Sequence, residues 1–247
     1  MAIKKNLLEI VQNILSDMDS EEVNSISDSI EAMQVAQIVE TTFYNIIASR
    51  DIPEHESFIK LTALSDTDFP THFKYPTNVK QIKNLSYDVS SDVTYAYSDI
   101  KWLEPLDFIN RSDRRSLSSA TVVDDKVAGT KIRVYNDRMP SYYTSFDDEH
   151  IVMDAYDSDV DTTLQESKTR AYGTTYPVFS QDDTYVPDID STMHPYLLAE
   201  AKSTCMSILK GGTDMKIEQS ARRQKSYVQN DMYKTKKGFK RPHYGRH

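Results

Sequence analysis

The sequence predicts an α+β fold: a helical bundle made from N- and C-terminal helices, an inserted antiparallel β domain of sandwich or barrel type, and an extended C-terminal arm. Three observations carry this reading. Apolar residues recur at three-and-four spacing near both ends of the chain. Short β-branched and aromatic runs separated by turn-formers fill the middle. Charge changes sign near the C-terminus: from Lys210 onward 11 basic residues face 3 acidic ones, a net of +8, which leaves −17 on the remainder. The predicted boundaries are 1–52 for a helical hairpin, 53–188 for the β-rich inserted domain, 189–233 for C-terminal helices packing on the first ones, and 234–247 for a basic docking arm.

The first helix rests on Leu7, Leu8, Val11, Ile14, Leu15 and Met18, which form one apolar stripe. The polar run Asp17–Ser27 interrupts it. Asp28-Ser29-Ile30-Glu31 has the spacing of a capping box, with Asp28 or Ser27 at the cap. Behind it Ile30, Met33, Val35, Ile38, Val39, Phe43, Ile46 and Ile47 sustain a second helix to about Arg50. Asp51-Ile52-Pro53 stops it, because proline cannot continue the hydrogen-bond ladder.

Strands are predicted at Phe58–Thr62, Val79–Tyr87, Val93–Tyr97, Thr121–Val123, Lys131–Tyr135, Tyr142–Phe146, His150–Tyr156 and Val178–Phe179. Glu104–Ile109 reads as one helical turn among them, and Asn110–Ser119, with Arg111, Arg114 and Arg115, as a surface loop. Helix returns near Ser191. Pro195 suits a first turn, Leu197, Leu198, Ala201, Cys205, Ile208 and Leu209 line one side, and Gly211-Gly212 ends it. Asp214–Tyr233 permits a further, weakly apolar helix.

Composition narrows the function. At 247 residues the chain has room for one large or two small cores. Its hydrophobic share is only 38% and its mean hydropathy −0.59, which fits a surface-rich protein with partners. The 16 Tyr against 8 Phe point the same way, since Tyr offers contact area with a polar handle. Cys205 is the sole cysteine, which excludes an internal disulfide and a cysteine-cluster metal site and fits synthesis in a reducing cytoplasm. No run approaches the roughly 20 apolar residues of a membrane span, and the N-terminus lacks a signal-peptide core.

The sequence offers few catalytic patterns. Asp154-x-x-Asp157-x-Asp159-x-Asp161 resembles the start of a calcium loop, but counting from Asp157, Thr162 and Lys168 stand where Gly and Glu belong, so it reads as a solvated acidic turn. Asp66-x-Asp68 with His72 is at most half a metal site and reads as a β-turn. Nucleophile elbows, phosphate loops and zinc-protease motifs are absent. The expectation is therefore no enzyme, no catalytic or metal residues and no cofactor. Two features remain. Pro140–Glu149 ends in an acidic tip, Asp147, Asp148 and Glu149, a candidate lumen or tail-facing surface. The arm sets Lys234, Lys236, Lys237, Lys240, Arg241 and Arg246 beside Phe239 and Tyr244, the composition of a docking segment.

Leu7–Ser20 and Glu31–Val39 together resemble the opening of head-to-tail adaptors of short-tailed bacteriophages, the tail tubular protein A-like class. Pro140–Glu149, Asp157–Thr169 and Leu198–Thr204 fit the same group. The resemblance implies a virion neck protein: a ring of twelve copies beneath the portal, bound to the portal ring on one side and the tail nozzle on the other. It implies an enclosed DNA exit channel, and a C-terminal extension reaching into the portal. DNA would pass without tight binding, because an acidic lumen repels phosphate. The arm would meet an acidic groove of the portal. No membrane contact is expected. The alternatives are another neck ring (a head-closure or stopper protein), a nucleic-acid-binding protein using the basic arm, and a small virion hydrolase acting through paired carboxylates, for which the sequence names no pair.

Overall fold

The computed structural model of the protein describes residues 4–49, 52–90, 95–116, 118–126, 129–212 and 215–230. It is a mixed α and β structure, with five α-helices and one large curled sheet among the described residues. The chain divides into two compact units, 1–55 with 177–247, and 56–176.

In the first unit, Asn6 opens α1 (Leu7–Asp17). Its side chain accepts the Glu9 N–H at 2.8 Å, and the Glu9 carboxylate accepts the Asn6 N–H at 3.0 Å. This reciprocal cap satisfies donors that a helix start leaves unpaired. α2 (Ile30–Ser49) is capped by Ser29, whose hydroxyl accepts the Ala32 N–H. Asp28, expected at the cap, instead accepts the N–H groups of Asn24 and Ser25 and folds the preceding turn. α4 (His194–Leu209) carries Pro195 in its first turn and ends before Gly211, whose φ of 67° is cheap only for glycine. α5 (Met215–Asn230) packs on α4. Residues from all four helices share one apolar cluster, including Leu7, Ile14, Val39, Phe43, Leu197, Ala201, Cys205 and Val228. Ile208, expected on the buried side of α4, is 64% exposed: it lies one residue short of the row Ala201–Cys205–Leu209 that joins the apolar cluster.

The stretch 177–188 joins this unit, not the β-rich one. Val178–Phe179 is not a strand. The segment caps helices instead: the N–H groups of Leu7 and Leu8 donate to the carbonyls of Tyr185 and Asp183, and the Ile26 N–H donates to the Asp183 carboxylate. Phe179 packs against Phe43 and Tyr185. His55 Nε2 donates to the Asp188 carbonyl at 2.6 Å. Three aromatic rings seeking a core outweighed the local β preference of two residues.

The second unit holds β1 (Glu56–Ile59), β2 (Thr62–Ala63), β3 (His72–Lys74), β4 (Val79–Asp88), β5 (Tyr97–Trp102), β6 (Ala120–Asp124), β7 (Lys131–Tyr135), β8 (Tyr142–Thr144), β9 (His150–Met153) and β10 (Thr169–Thr175). The eight-stranded sheet runs β1-β10-β4-β5-β8-β9-β3-β2, and β6 and β7 form a separate hairpin. Only Lys60 and Leu61 separate β1 from β2, so the chain itself bridges the two edges of the curled sheet. Its concave side holds Leu61, Phe73, Leu85, Tyr87, Ile100, Ile151 and Ala171.

The sheet is mixed and not purely antiparallel as expected: β5 pairs with β8 in parallel. The long connection between them contains α3 (Pro105–Asp113) and the β6–β7 hairpin, and returns the chain to start β8 in the same direction. α3 runs through Asp113, beyond the single predicted turn. Ser112 extends it by fastening it to β7: its hydroxyl donates to the Arg133 carbonyl and accepts the Arg133 N–H.

β10 pairs with β4 across an irregularity at Gly173 opposite Ile82. A Cβ built on Gly173 would lie 2.1 Å from the Gln81 carbonyl oxygen and 2.9 Å from the Ile82 Cα. Both are backbone atoms that cannot swing away. We expect Gly173→Ala to cost about 1–3 kcal/mol through forced strand separation, read as a lower urea midpoint at unchanged slope. A midpoint equal to wild type would show that β10 and β4 are not this close in solution.

Candidate functional site

The arm residues Lys234, Lys236, Lys237, Phe239, Lys240, Arg241, Tyr244 and Arg246 lie outside the described residues. The acidic tip is described. Asp147, Asp148 and Glu149 occupy the connection from β8 to β9, the five residues 145–149. The turn is held by its own side chains. Ser145 Oγ accepts the Asp148 N–H, and Asp147 Oδ1 accepts the N–H groups of Glu149 and His150 at 3.0 and 2.8 Å. Asp148 takes the left-handed conformation, φ 60°, that Asp tolerates better than most residues.

This geometry separates the three carboxylates. Asp148 and Glu149 are exposed. Asp147 is turned inward, where His150 Nδ1 donates to its Oδ2 at 2.6 Å. Burial alone would raise the Asp147 carboxyl. The His150 side chain and the N–H groups of His150 and Glu149 outweigh that and hold it below the usual carboxylate range. Asp147, Glu149 and His150 each bring one ligand-capable atom within 4.8 Å of the others. The sequence reading missed His150, which it took as the first residue of a strand.

On β3, His72 is buried, edge-on to Phe69, and neither ring nitrogen has a hydrogen-bond partner among the described residues. Burial lowers its pKa to about 4, helped by His150 and Lys126 and opposed by Asp125 and Asp147. The imidazole is neutral at neutral pH. Its supposed companions in sequence do not join it: Asp66 and Asp68 are exposed, and Asp66 closes its own turn onto the Asp68 N–H.

Beside the turn a cleft of about 740 Å³ opens at one end of the curled sheet. It exists because β4 is ten residues long but pairs with β5 only along Leu85–Asp88. Trp102, the single tryptophan, is 45% exposed there and meets Tyr143 edge-on at 5.3 Å. Lys74, Lys83, Asp148 and Glu149 stand at its rim, so the lining carries both signs of charge. Burial pushes the Tyr75 and Tyr143 phenols up, so both remain hydrogen-bond donors.

The arginine stretch is only in part the surface loop expected: Asn110–Asp113 belongs to α3 and Arg115 is buried, while Arg111 and Arg114 are exposed. Arg115 is buried and packs on Tyr135 at 4.2 Å, Arg138 packs on the same ring at 4.1 Å, and Arg111 stacks on Tyr142 at 4.1 Å. Such guanidinium–ring contacts fix side chains more than they create an anion site. The aspartates that resembled a calcium loop are dispersed as well: Asp154 is buried against Arg115, Asp157 accepts the Asp159 N–H, and Asp161 pairs with Lys168 at 2.8 Å. No protein-family model and no curated protein matches this chain.

Proposed function

We propose that the protein is a structural component of a phage virion, a head-to-tail adaptor that assembles as a ring between the portal and the tail nozzle and encloses the DNA exit channel. In this reading the helices of the first unit form a bundle with the β unit as its insertion, and residues 234–247 are the arm that docks on the portal. The resemblance of the Leu7–Ser20 and Pro140–Glu149 stretches to adaptors motivates the reading.

The observation that carries it is the division of charge. Residues 56–176 hold 14 basic against 20 acidic residues, and residues 1–55 with 177–209 hold 4 against 15. With residues 210–247 included, the first unit holds 15 basic against 18 acidic residues and is nearly balanced, whereas 56–176 is acidic. A lumen lined by 56–176 would therefore repel DNA phosphates instead of gripping them. Six of the 11 basic residues from Lys210 onward lie in 234–247 with no acidic residue among them, a charge suited to an acidic protein groove.

The test is native mass analysis of the full chain and of a truncation after Tyr233, each alone and with the portal ring. The full chain is expected to join the portal as a closed ring and the truncation to fail. Absence of portal binding by either form overturns the adaptor reading. Tight, salt-sensitive DNA binding that disappears with the arm would favour the nucleic-acid-binding alternative.

A further inference from the structure

We propose that the open edge of β4, at Val79–Asn84, takes up an extended acidic peptide of another protein as an added strand, with one of its apolar side chains seated against Trp102 and Tyr143. The inference rests on the cleft beside the sheet and is independent of the adaptor reading.

β4 is fully paired along one edge and half paired along the other. β10 runs beside it from Val79 to Tyr87. β5 pairs only with Leu85–Asp88 and then leaves with β8 through Lys101 and Trp102. Among the described residues no strand lies on the other edge of Val79–Asn84. Every residue from Val79 to Lys83 lines the cleft. Successive residues of a strand point to opposite faces, so a lining without alternation means that the cleft is bounded by the edge of β4 and its backbone. The gap is built into the sheet. The irregularity at Gly173 opposite Ile82 falls next to the point where β5 leaves β4. Such an irregularity bends a strand and ends its pairing, and Gly173 allows it by letting β10 close on Gln81 and Ile82 from the opposite side.

Six residues of strand span about 20 Å, and a cleft of about 740 Å³ has room for a short extended segment. Main-chain hydrogen bonds along the edge supply affinity, and the walls supply selectivity. Half-exposed Trp102, edge-on to Tyr143, forms the seat for a large apolar side chain. Charge identifies the occupant. Lys80 and Lys83 are the charged residues of 79–84, and Lys74 lines the same cleft. Lys83 also binds Glu56 at 2.7 Å. The acids of the lining, Asp148 and Glu149, are confined to the β8–β9 turn. A segment lying along β4 is therefore complementary when it is acidic. The same charges argue against two other occupants. A second copy pairing through its own β4 would set Lys80 and Lys83 against their counterparts, the usual guard of an edge strand. Residues 234–247, with six cations and no acid, carry the same sign as the edge.

A library of random dodecapeptides would be selected on the folded full chain, and the enriched peptides measured in solution. We expect acidic residues around one aromatic or large aliphatic residue. Trp102 is the single tryptophan, so binding should change the protein's tryptophan fluorescence. Amide exchange at Val79–Asn84 should slow on binding. Methylating the peptide's backbone nitrogens one at a time should weaken binding at alternate residues, because a strand bonds to one neighbour through every second residue. Trp102→Ala should weaken binding about 10-fold, and Lys80→Glu about 5-fold. Failure of the selection to yield any peptide that binds the folded chain more tightly than about 100 μM overturns the proposal. So does binding that leaves exchange at 79–84 unchanged, or that shows no alternation on methylation. Enrichment of basic peptides overturns the acidic assignment.

Discussion

Asp154→Ala is expected to destabilise the β unit by about 3–5 kcal/mol, because it strands a buried guanidinium. Arg115 and Asp154 have side chains 2% and 6% exposed and pair at 2.9 Å. Every oxygen of Asp154 is in use. Oδ2 accepts from Arg115 Nη2, Oδ1 accepts the N–H groups of Ser141 and Tyr142 at 2.8 Å each, and its backbone carbonyl accepts from Arg115 Nη1. Arg115 Nη1 also donates to the Arg133 carbonyl. The pair thus joins β7, the start of β8 and the end of β9 around one charge. Burial pulls the Arg115 pKa down while Asp154 pushes it up, so deleting the carboxylate removes the main compensation for burying the cation. Asp154→Asn separates the two roles. Its amide oxygen still accepts the Ser141 and Tyr142 N–H groups, but no charge faces Arg115, so an intermediate loss is expected. Urea unfolding of both variants decides the matter; a loss under 1 kcal/mol for Asp154→Ala would mean that water reaches Arg115 and the pair is not dry.

That pair also shows where sequence reading stops. Asp154 stood next to Asp157, Asp159 and Asp161 and read as one more solvated acid, and Arg115 as one more loop cation. Nothing local marks either as buried, since their partnership spans 39 residues of chain. The same limit hid His72 and His150, which only the β3–β9 register makes neighbours. β10 escaped for a different reason: Thr169-Arg-Ala-Tyr-Gly-Thr-Thr has little apolar alternation and a central glycine, and that glycine is there because β4 passes within contact.

Periodicity was reliable where one face of a helix carried the information. Of the stripe expected in α1, Leu7, Val11, Ile14, Leu15 and Met18 are buried and Leu8 is half-buried, while Ile10 joins the buried face. In α2 the expected Val35, Val39, Phe43, Ile46 and Ile47 are buried, but Ile30 and Met33 are exposed, Ile38 is half-buried, and Ala32 and Ala36 complete the buried face instead. Strand cores such as Val79–Tyr87 and Lys131–Tyr135 lie within β4 and β7, whereas the predicted Phe58–Thr62 strand splits at Lys60-Leu61 because the chain crosses there from one sheet edge to the other. Proline and glycine punctuation placed α4 well, but which row of α4 meets the apolar cluster is left free by one residue in the spacing, and Ile208 falls outside it.

Phe43→Ala should cost the helical unit about 3–5 kcal/mol, the other large effect expected here. The ring is fully buried at the middle of α2. It contacts Phe179 at 5.2 Å and Tyr44 edge-on at 5.5 Å, and Phe179 in turn meets Tyr185 at 4.7 Å. Tyr44 adds a polar fastening, its hydroxyl accepting the Phe179 N–H at 3.0 Å. Truncation leaves a ring-sized void and removes edge contacts worth about 0.5–1.5 kcal/mol per pair. It also loosens the 177–188 segment, whose carbonyls at Asp183 and Tyr185 receive the first N–H groups of α1. The damage should therefore spread along a defined route. Hydrogen exchange ought to accelerate at Leu7, Leu8 and Phe179 as well as in α2. Phe43→Leu keeps much of the volume and should lose about half as much or less. If Phe43→Ala lowers stability by the expected amount but leaves the exchange of Leu7 and Leu8 at its wild-type rate, the aromatic cluster supports α2 alone, and the segment holding α1 is anchored by Asp183 and its hydrogen bond to Ile26 instead.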